Sequence, residues 1–360
     1  MTQKNFFQIF FLSFLIILVS GCSISFGGEE GGTDRDAGVY LSTNQGDTWN
    51  HKHLVSSPGG EVQSISRVPV IDLTMDPSDH KAVYLGSAGS GLFYTYNLDN
   101  GWTRADTFPG QTVNAVTVHP DSKCIIYASA GNQVFKSTDC NRTWSSVYYD
   151  DDPKTRINSI AIDHYNPRVV YIGTTRGDVI KSLDGGGSWQ AIHRAKSSIK
   201  EVKVSPQDSR ILFISTQKDG ISRSQDGGEN WENFKDKLKE FRNSNRVRDI
   251  ELCKAQDGLI FIATNYGMLK SEDGGETWSR VELITPEKEA IINAVALNPQ
   301  NCSQIYYVTN TTFYRSLDMG ENWATINLPG SRKSSDLIID FKKPRVLYLG
   351  MGQEPKQTRY

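Results

Sequence analysis

One octapeptide recurs along this 360-residue chain, and it constrains the fold more than any other feature. It runs Ser42–Trp49 (STNQGDTW), Ser137–Trp144 (STDCNRTW), Ser182–Trp189 (SLDGGGSW), Ser224–Trp231 (SQDGGENW), Ser271–Trp278 (SEDGGETW) and Ser316–Trp323 (SLDMGENW). The chain has seven Trp, and Trp102 stands alone between the first two copies. Asn97-Leu98-Asp99-Asn100-Gly101 before it is read as a degenerate seventh copy that has lost the Ser and the spacing. Successive Trp are about 45 residues apart, a period that signals a stacked or circular array of one supersecondary unit.

Each unit has the same internal order. In the one ending at Trp189, an apolar run from Ile157 to Ile162 meets a turn at Asn166-Pro167, and a second run covers Val169–Gly173. A Gly-containing hairpin at Arg176-Gly177 leads to a third run, Val179–Ser182, then the octapeptide, then a fourth run beginning at Trp189. Alternation and turn residues of this kind mark hairpin-connected strands. Pro77, Pro120, Pro167, Pro206, Pro299 and Pro344 mark the first turn in six units. The expected fold is all-β: a single β-propeller of seven four-stranded blades over residues 38–353. The N-terminal unit supplies only a third strand (Val39–Ser42) and a fourth, and the C-terminal unit only a first (Leu337–Asp340) and a second (Val346–Gly350). Pairing the two completes one blade and closes the ring, which removes exposed sheet edges.

The octapeptide resembles the Asp-box, or BNR repeat, S-x-D-x-G-x-x-W. That resemblance implies a structural motif at the turn between third and fourth strands, on the rim away from the usual ligand face. Asp139, Asp184, Asp226, Asp273 and Asp318, with Asn44 in the first copy, are therefore expected to accept turn amides rather than to form a carboxylate site. Trp49, Trp144, Trp189, Trp231, Trp278 and Trp323 are expected to wedge between strands. Several functional groups share the motif. Sialidases carry a catalytic Arg in an R-I-P motif, for which Arg67-Val68-Pro69 is a loose match in the wrong place. Xyloglucan-type endoglucanases are similar in wording such as Asn166–Gly173, but their cleft lies between two propellers. Sortilin-type receptors have more blades. The photosystem II stability/assembly factor-like proteins, single seven-bladed propellers and binding factors, are the group most similar in size and layout. The resemblance thus implies a non-catalytic binding or assembly propeller, with a glycoside hydrolase or glycan binder as the alternative.

The N-terminus points outside the cytoplasm. Lys4 precedes an apolar run from Phe6 to Val19, the length of a signal-peptide core. It ends in Leu18-Val19-Ser20-Gly21-Cys22, which resembles a bacterial lipobox, so Cys22 is the expected lipidation site. The expected layout is a signal peptide (1–21), a Gly- and acid-rich tether (22–37), the propeller and a short tail (354–360), anchored by lipid to the cell-envelope membrane. Charge is balanced, 39 basic against 41 acidic residues, which excludes a dedicated nucleic-acid binder. No CxxC or Cys/His spacing implies a metal, and no cofactor is expected. A monomer is expected.

Three further expectations concern particular residues. Propellers present ligands on the face of fourth-to-first links and second-to-third hairpins, and there Arg156, Arg176, Arg194, Lys196, Arg246 and Arg248 form a candidate site for an anionic partner. The alternative is a solvated surface whose field Asp150, Asp151, Asp152, Asp236 and Glu240 cancel. Phe234, Leu238 and Phe241 have helical spacing and predict a short helix in the longest link. Cys124 and Cys140 fall on the same rim of one blade and are expected to form a disulfide, whereas no bond is predicted between Cys253 and Cys302, which lie in different blades.

Overall fold

The computed structural model describes residues 35–56, 63–286, 289 and 291–353. The signal segment, Cys22 and the tail after residue 353 lie outside the described residues, as does the tether up to residue 34. The described chain forms seven four-stranded antiparallel sheets. Blade 1 comprises Val70–Met75, Val83–Ser87, Leu92–Thr95 and Thr103–Arg104; blade 2 Val113–His119, Ser122–Ala130, Gln133–Ser137 and Ser145–Tyr149. Blade 3 comprises Ile157–Ile162, Val170–Thr174, Asp178–Ser182 and Gln190–Arg194; blade 4 Ile199–Val204, Leu212–Thr216, Ile221–Ser224 and Glu232–Asn233. Blade 5 comprises Val247–Leu252, Ile260–Thr264, Met268–Ser271 and Ser279–Arg280; blade 6 Ala294–Leu297, Ile305–Val308, Thr312–Ser316 and Ala324–Asn327.

Blade 7 is the shared one. Ser334–Ile339 and Leu347–Met351 from the C-terminal end pair with Gly38–Ser42 and Asn50–Lys52 from the other, and all five residues of Gly38–Ser42 are in register with Leu347–Met351. First strands touch in ring order, and the one of blade 7 meets the one of blade 1.

The burial of each strand follows from its place. Second strands such as Val170–Thr174 are sandwiched between neighbouring blades and buried at every residue, so they read as continuous apolar runs. Fourth strands such as Gln190–Arg194 face solvent and are polar. The second residue of the second strand is aromatic in six blades, as Tyr84, Tyr171, Phe213, Phe261, Tyr306 and Tyr348, and Tyr127, sixth in the longer Ser122–Ala130, makes the seventh aromatic; each is at most 6% exposed. Trp49, Trp189, Trp231 and Trp278 pack on Phe313, Tyr148, His193 and Phe234 of the preceding blade, while Trp323 also meets Tyr307 of its own blade. The Trp189 indole donates to Val147 O at 2.8 Å, and Trp323 to Glu282 O at 2.8 Å.

Three expectations are corrected. The degenerate copy keeps its spacing: Thr95 and Asn97 hold the Ser and Asp positions, seven and five residues before Trp102. Asn97 N–H donates to Thr95 Oγ1 at 3.1 Å, and Trp102 is the one Trp with no exposed surface. Second, the link after Phe234 is not a helix. Its bonds Phe241 N to Leu238 O and Ser244 N to Phe241 O close i to i+3 turns, and Asn243 at φ 71° reverses the chain. The apolar spacing was real but serves burial. Phe234, Leu238 and Phe241 are all buried in the core of blades 4 and 5, because blade 4 has only a two-residue fourth strand and the link covers the gap. Third, Cys253 and Cys302 are bonded, joining blades 5 and 6 at their first turns. Blade neighbours 49 residues apart in sequence meet there, a proximity that spacing within one blade does not reveal. Cys124 and Cys140 are also bonded, within blade 2.

Candidate functional site

Antiparallel order puts the repeated octapeptides on one face and the fourth-to-first links and second-to-third hairpins on the other. The octapeptide works as a local hydrogen-bond cage. Ser182 Oγ donates to Asp184 Oδ1 at 2.8 Å and accepts Gly186 N–H at 2.8 Å. Asp184 accepts Ser188 N–H at 2.9 Å and Ser188 Oγ–H at 2.8 Å. The same pattern recurs at Asp139, Asp226, Asp273 and Asp318, and Asn44 keeps the acceptor role toward Thr48 N–H at 3.0 Å. Two successive residues take positive φ, as in Gly185 (74°) and Gly186 (98°), which explains the Gly-Gly of three copies. Hydrogen bonds from Thr143, Asn230 and Asn322 hold Asp139, Asp226 and Asp318 down at about 2, and the Thr277 and Ser271 donors outweigh burial to do the same for Asp273. These carboxylates are occupied in holding turns.

This box geometry, repeated around a closed ring, decides the architecture. The chain is a seven-bladed Asp-box propeller. A family model described as Sortilin, neurotensin receptor 3, matches residues 132–267. A xyloglucanase of a Paenibacillus species is 26% identical over 46% of this chain and 19% of its own length. Among solved structures, the GH74 enzyme of Niastella koreensis matches with TM-score 0.65 and 16% identity, over 79% of this chain and 51% of that one. YCF48 from Cyanidioschyzon merolae matches with TM-score 0.61 and 14% identity over 79% of this chain and 95% of that one, and YCF48 bound to D1 peptide with 0.61 and 15% over 79% and 94%. This chain therefore spans a fifth of the curated xyloglucanase and half of the GH74 structure.

The second concentration of chemistry lies on the propeller axis, where the seven first strands line a channel of about 570 Å³. Five of these strands carry a β-bulge near their start, and Val113–His119 carries a matching one at Asn114. Register jumps between Val70 and Asp72, Ile157 and Ser159, Ile199 and Glu201, Val247 and Asp249, and Ser334 and Asp336. The residue after the bulge clasps the next blade. Asp72 accepts Val116 N–H (2.8 Å), Ser159 accepts Val202 N–H (3.0 Å), Asp249 accepts Val295 N–H (2.6 Å) and Asp336 accepts Leu73 N–H (2.7 Å). Asp249 and Asp336 each use the second oxygen as well, on Ile250 N–H (2.9 Å) and Leu337 N–H (2.7 Å). Asn158 and Lys200, on the bulges themselves, reach the next blade's carbonyls at Ile199 (2.8 Å) and Arg248 (2.9 Å).

Three cations, Lys200, Lys203 and Arg248, face five carboxylates in the channel lining. Lys203 bridges Glu201 (3.2 Å) and Glu251 (3.1 Å) across blades 4 and 5. Burial pushes Asp72 up to about 6 and raises Glu201, Glu251 and Asp336, although Lys203 or backbone donors pull each of them back. Burial would lower Lys203, but Glu251, Glu201 and Asp249 hold it above the ordinary lysine range.

The six cations expected on the link face divide into unlike groups. Arg176 and Arg194 are clamped on buried Asp178, a residue outside the acids named in the charge-cancelling alternative, and of those acids Asp150 meets Arg176 at 3.4 Å. Arg156 is exposed and donates to its own loop's carbonyls, Pro153 and Thr155. Lys196 is exposed on the link. Arg248 is not on the link: it is a bulge residue in the channel mouth, half-buried, donating to Asn265 at 2.9 Å. Burial, then the like charge of Arg246, lowers it, so the two cations repel each other on this face. Arg67 is exposed ahead of blade 1 and does not line the channel.

Sequence reading missed two repeated devices. One is the clasp position after the bulge, signalled by Asp, Ser or Glu two residues into five first strands. The other is the cation before the box Ser. Lys136, Lys181, Arg223 and Arg315 donate to the next blade's box carbonyls at Gly185, Gly227, Gly274 and Gln45, at 2.8 to 3.0 Å.

Proposed function

We propose that this propeller is a non-catalytic binding scaffold whose partner docks an anionic segment over the channel mouth at Arg246 and Arg248. The observation that carries the reading is the state of the channel acids. Asp72, Asp249 and Asp336 are tied to backbone amides of neighbouring blades, and Glu201 and Glu251 share one lysine. A glycoside hydrolase needs one carboxyl free to protonate the leaving oxygen and a second free to attack or activate water. Size supports the same reading, since one closed ring matches nearly the whole of YCF48, a protein also seen bound to a peptide. Arg246 and Arg248 repel each other, so an incoming carboxylate gains two cations at once.

Affinity purification from native membranes, repeated with Arg246→Ala/Arg248→Ala, tests the proposal. Loss of the partner with the double variant and with raised salt is the expected outcome. A partner indifferent to both would remove this site. The second reading, a glycan hydrolase, is favoured by the xyloglucanase relative. Robust turnover of β-glucans or sialosides by the purified protein would replace the scaffold reading with it. Lipid attachment at Cys22 and an extracytoplasmic location belong to the same proposal, resting on Leu18–Cys22. Cys22→Ala should release the protein or leave an uncleaved precursor; a processed chain that stays on the membrane would contradict it.

A further inference from the structure

The seam of blades 2 and 3 has a hydroxyl bond that the seam of blades 4 and 5 lacks. At the seam of blades 2 and 3, Tyr127 O–H (2.9 Å) and Lys136 Nζ (2.8 Å) both donate to Gly185 O of the next box. Tyr127 and Lys136 are cross-strand partners, as are Tyr171 and Lys181, Phe213 and Arg223, Phe261 and Lys270, and Tyr306 and Arg315. Blades 4 and 5 carry Phe, with no hydroxyl. At the seam of blades 5 and 6 the box residue is Met319, whose side chain packs into the cluster holding Phe261. At the seam of blades 4 and 5 the box residue is Gly274, and a Cβ placed there would meet only Arg223 Nη1, at 3.6 Å. Neither hydroxyl nor side chain fills that space. A cavity of about 290 Å³ opens there, walled by Phe213, Leu252 and Leu259, with Arg223 and Gly274 on its border.

Arg223, on its border, carries an unmet donor. The Arg223 side chain is 7% exposed, and its terminal nitrogens bond Gly274 O (2.8 Å), Glu232 (2.9 Å) and Glu276 (2.6 Å). Its Nε has no partner. That N–H is buried beyond the reach of an oxygen in the cavity, and the acceptor on the border is Gly274 O, which takes one donor where Gly185 O takes two. Two carboxylates already neutralise Arg223, and Asp257, Glu272 and Asp273 also line the cavity, so an anionic ligand is disfavoured. Apolar space of ~150 Å³ suffices for benzene in a protein interior.

We propose that the seam of blades 4 and 5 binds a neutral aromatic ring bearing a hydroxyl, which donates to Gly274 O as the Tyr127 hydroxyl donates to Gly185 O. A free phenol or a tyrosine side chain of a bound polypeptide supplies the same chemistry. The site lies on the box face, away from Arg246 and Arg248, so it stands independently of the proposed function.

Amide-resolved NMR titration of the propeller tests it, with p-cresol, toluene and a blocked Gly-Tyr-Gly peptide as probes. p-Cresol should shift the Gly274 and Phe213 amides and bind about tenfold tighter than toluene, the factor one hydroxyl bond of ~1.4 kcal/mol gives. Binding by p-cresol alone assigns a small phenol; binding by the peptide as well assigns a polypeptide tyrosine. Phe213→Tyr restores the sister-seam hydroxyl and should abolish binding. Gly274→Met copies blade 6, where Met319 holds φ 63° against 73° at Gly274, and should do the same. Absence of shifts at millimolar probe, or binding that survives both substitutions in folded protein, overturns the proposal.

Discussion

The outer rim and the inner ring of this propeller use the same bond, a carboxylate accepting backbone N–H, to opposite electrostatic effect. On the rim, Asp184 and its sisters are exposed and bonded within a span of four residues, and their donors hold them well below the ordinary carboxylate range, Asp139, Asp226 and Asp318 at about 2. In the channel, Asp72 and Asp336 bond amides 44 and 263 residues away, and burial drives both up. Local bonds in water stabilise the charged form. Distant bonds in a confined channel hold blades together while penalising that charge. The rim therefore folds each turn, and the ring of clasps closes the circle.

Removing a channel clasp should cost most. Asp249→Ala strands two amide donors, one in the next blade, and should lower stability by ~2–3 kcal/mol in urea unfolding. Ser182→Ala on the rim loses one box's bonds and should cost ~1 kcal/mol, with faster amide exchange confined to 182–189. A Ser182→Ala effect as large and global as that of Asp249→Ala would erase the distinction.

The pH response separates the regions by sign. A carboxyl raised in the folded state makes stability fall as pH rises from its unfolded value of about 4 through its folded value. For Asp72 that window closes at about 6. Asp72→Asn keeps an acceptor for Val116 N–H but carries no charge. Its stability relative to the parent should rise by ~1–2 kcal/mol between pH 4 and 6 and stay flat above, since the channel remains open to water. The rim predicts the reverse. Depressed carboxylates contribute above their unfolded value and lose that contribution as pH falls through about 2. Near-UV circular dichroism should thus show the boxes persisting at pH 3; collapse between pH 4 and 5 would contradict the depressed values.

The same contrast explains what was legible in the sequence. The box is written within eight residues, so six copies, the blade number and the shared closing blade could be read directly. The channel could not, because its partners come from different repeats. Asp72, Asp249 and Asp336 look unremarkable until bulges turn them inward. Arg248 was read as a link residue for the same reason, and Arg194 as available although Asp178, sixteen residues before it, holds it. Phe234, Leu238 and Phe241 carried a correct burial signal with the wrong element attached. The Tyr-to-Phe change at 213 was visible, but it acquires meaning only beside Gly274.

The most direct test is parallel assay of the parent protein, Asp249→Asn and Asp336→Asn for unfolding free energy and for hydrolysis of β-glucans. Asparagine presents a donor where the carboxylate offered its second acceptor, so each substitution breaks one clasp bond. The account predicts lower stability in Asp249→Asn, a smaller loss in Asp336→Asn because that substitution also removes a charge that burial penalises, and no turnover by any of the three proteins. Turnover by the parent that vanishes in either variant while stability is unchanged would make these acids catalysts and contradict it.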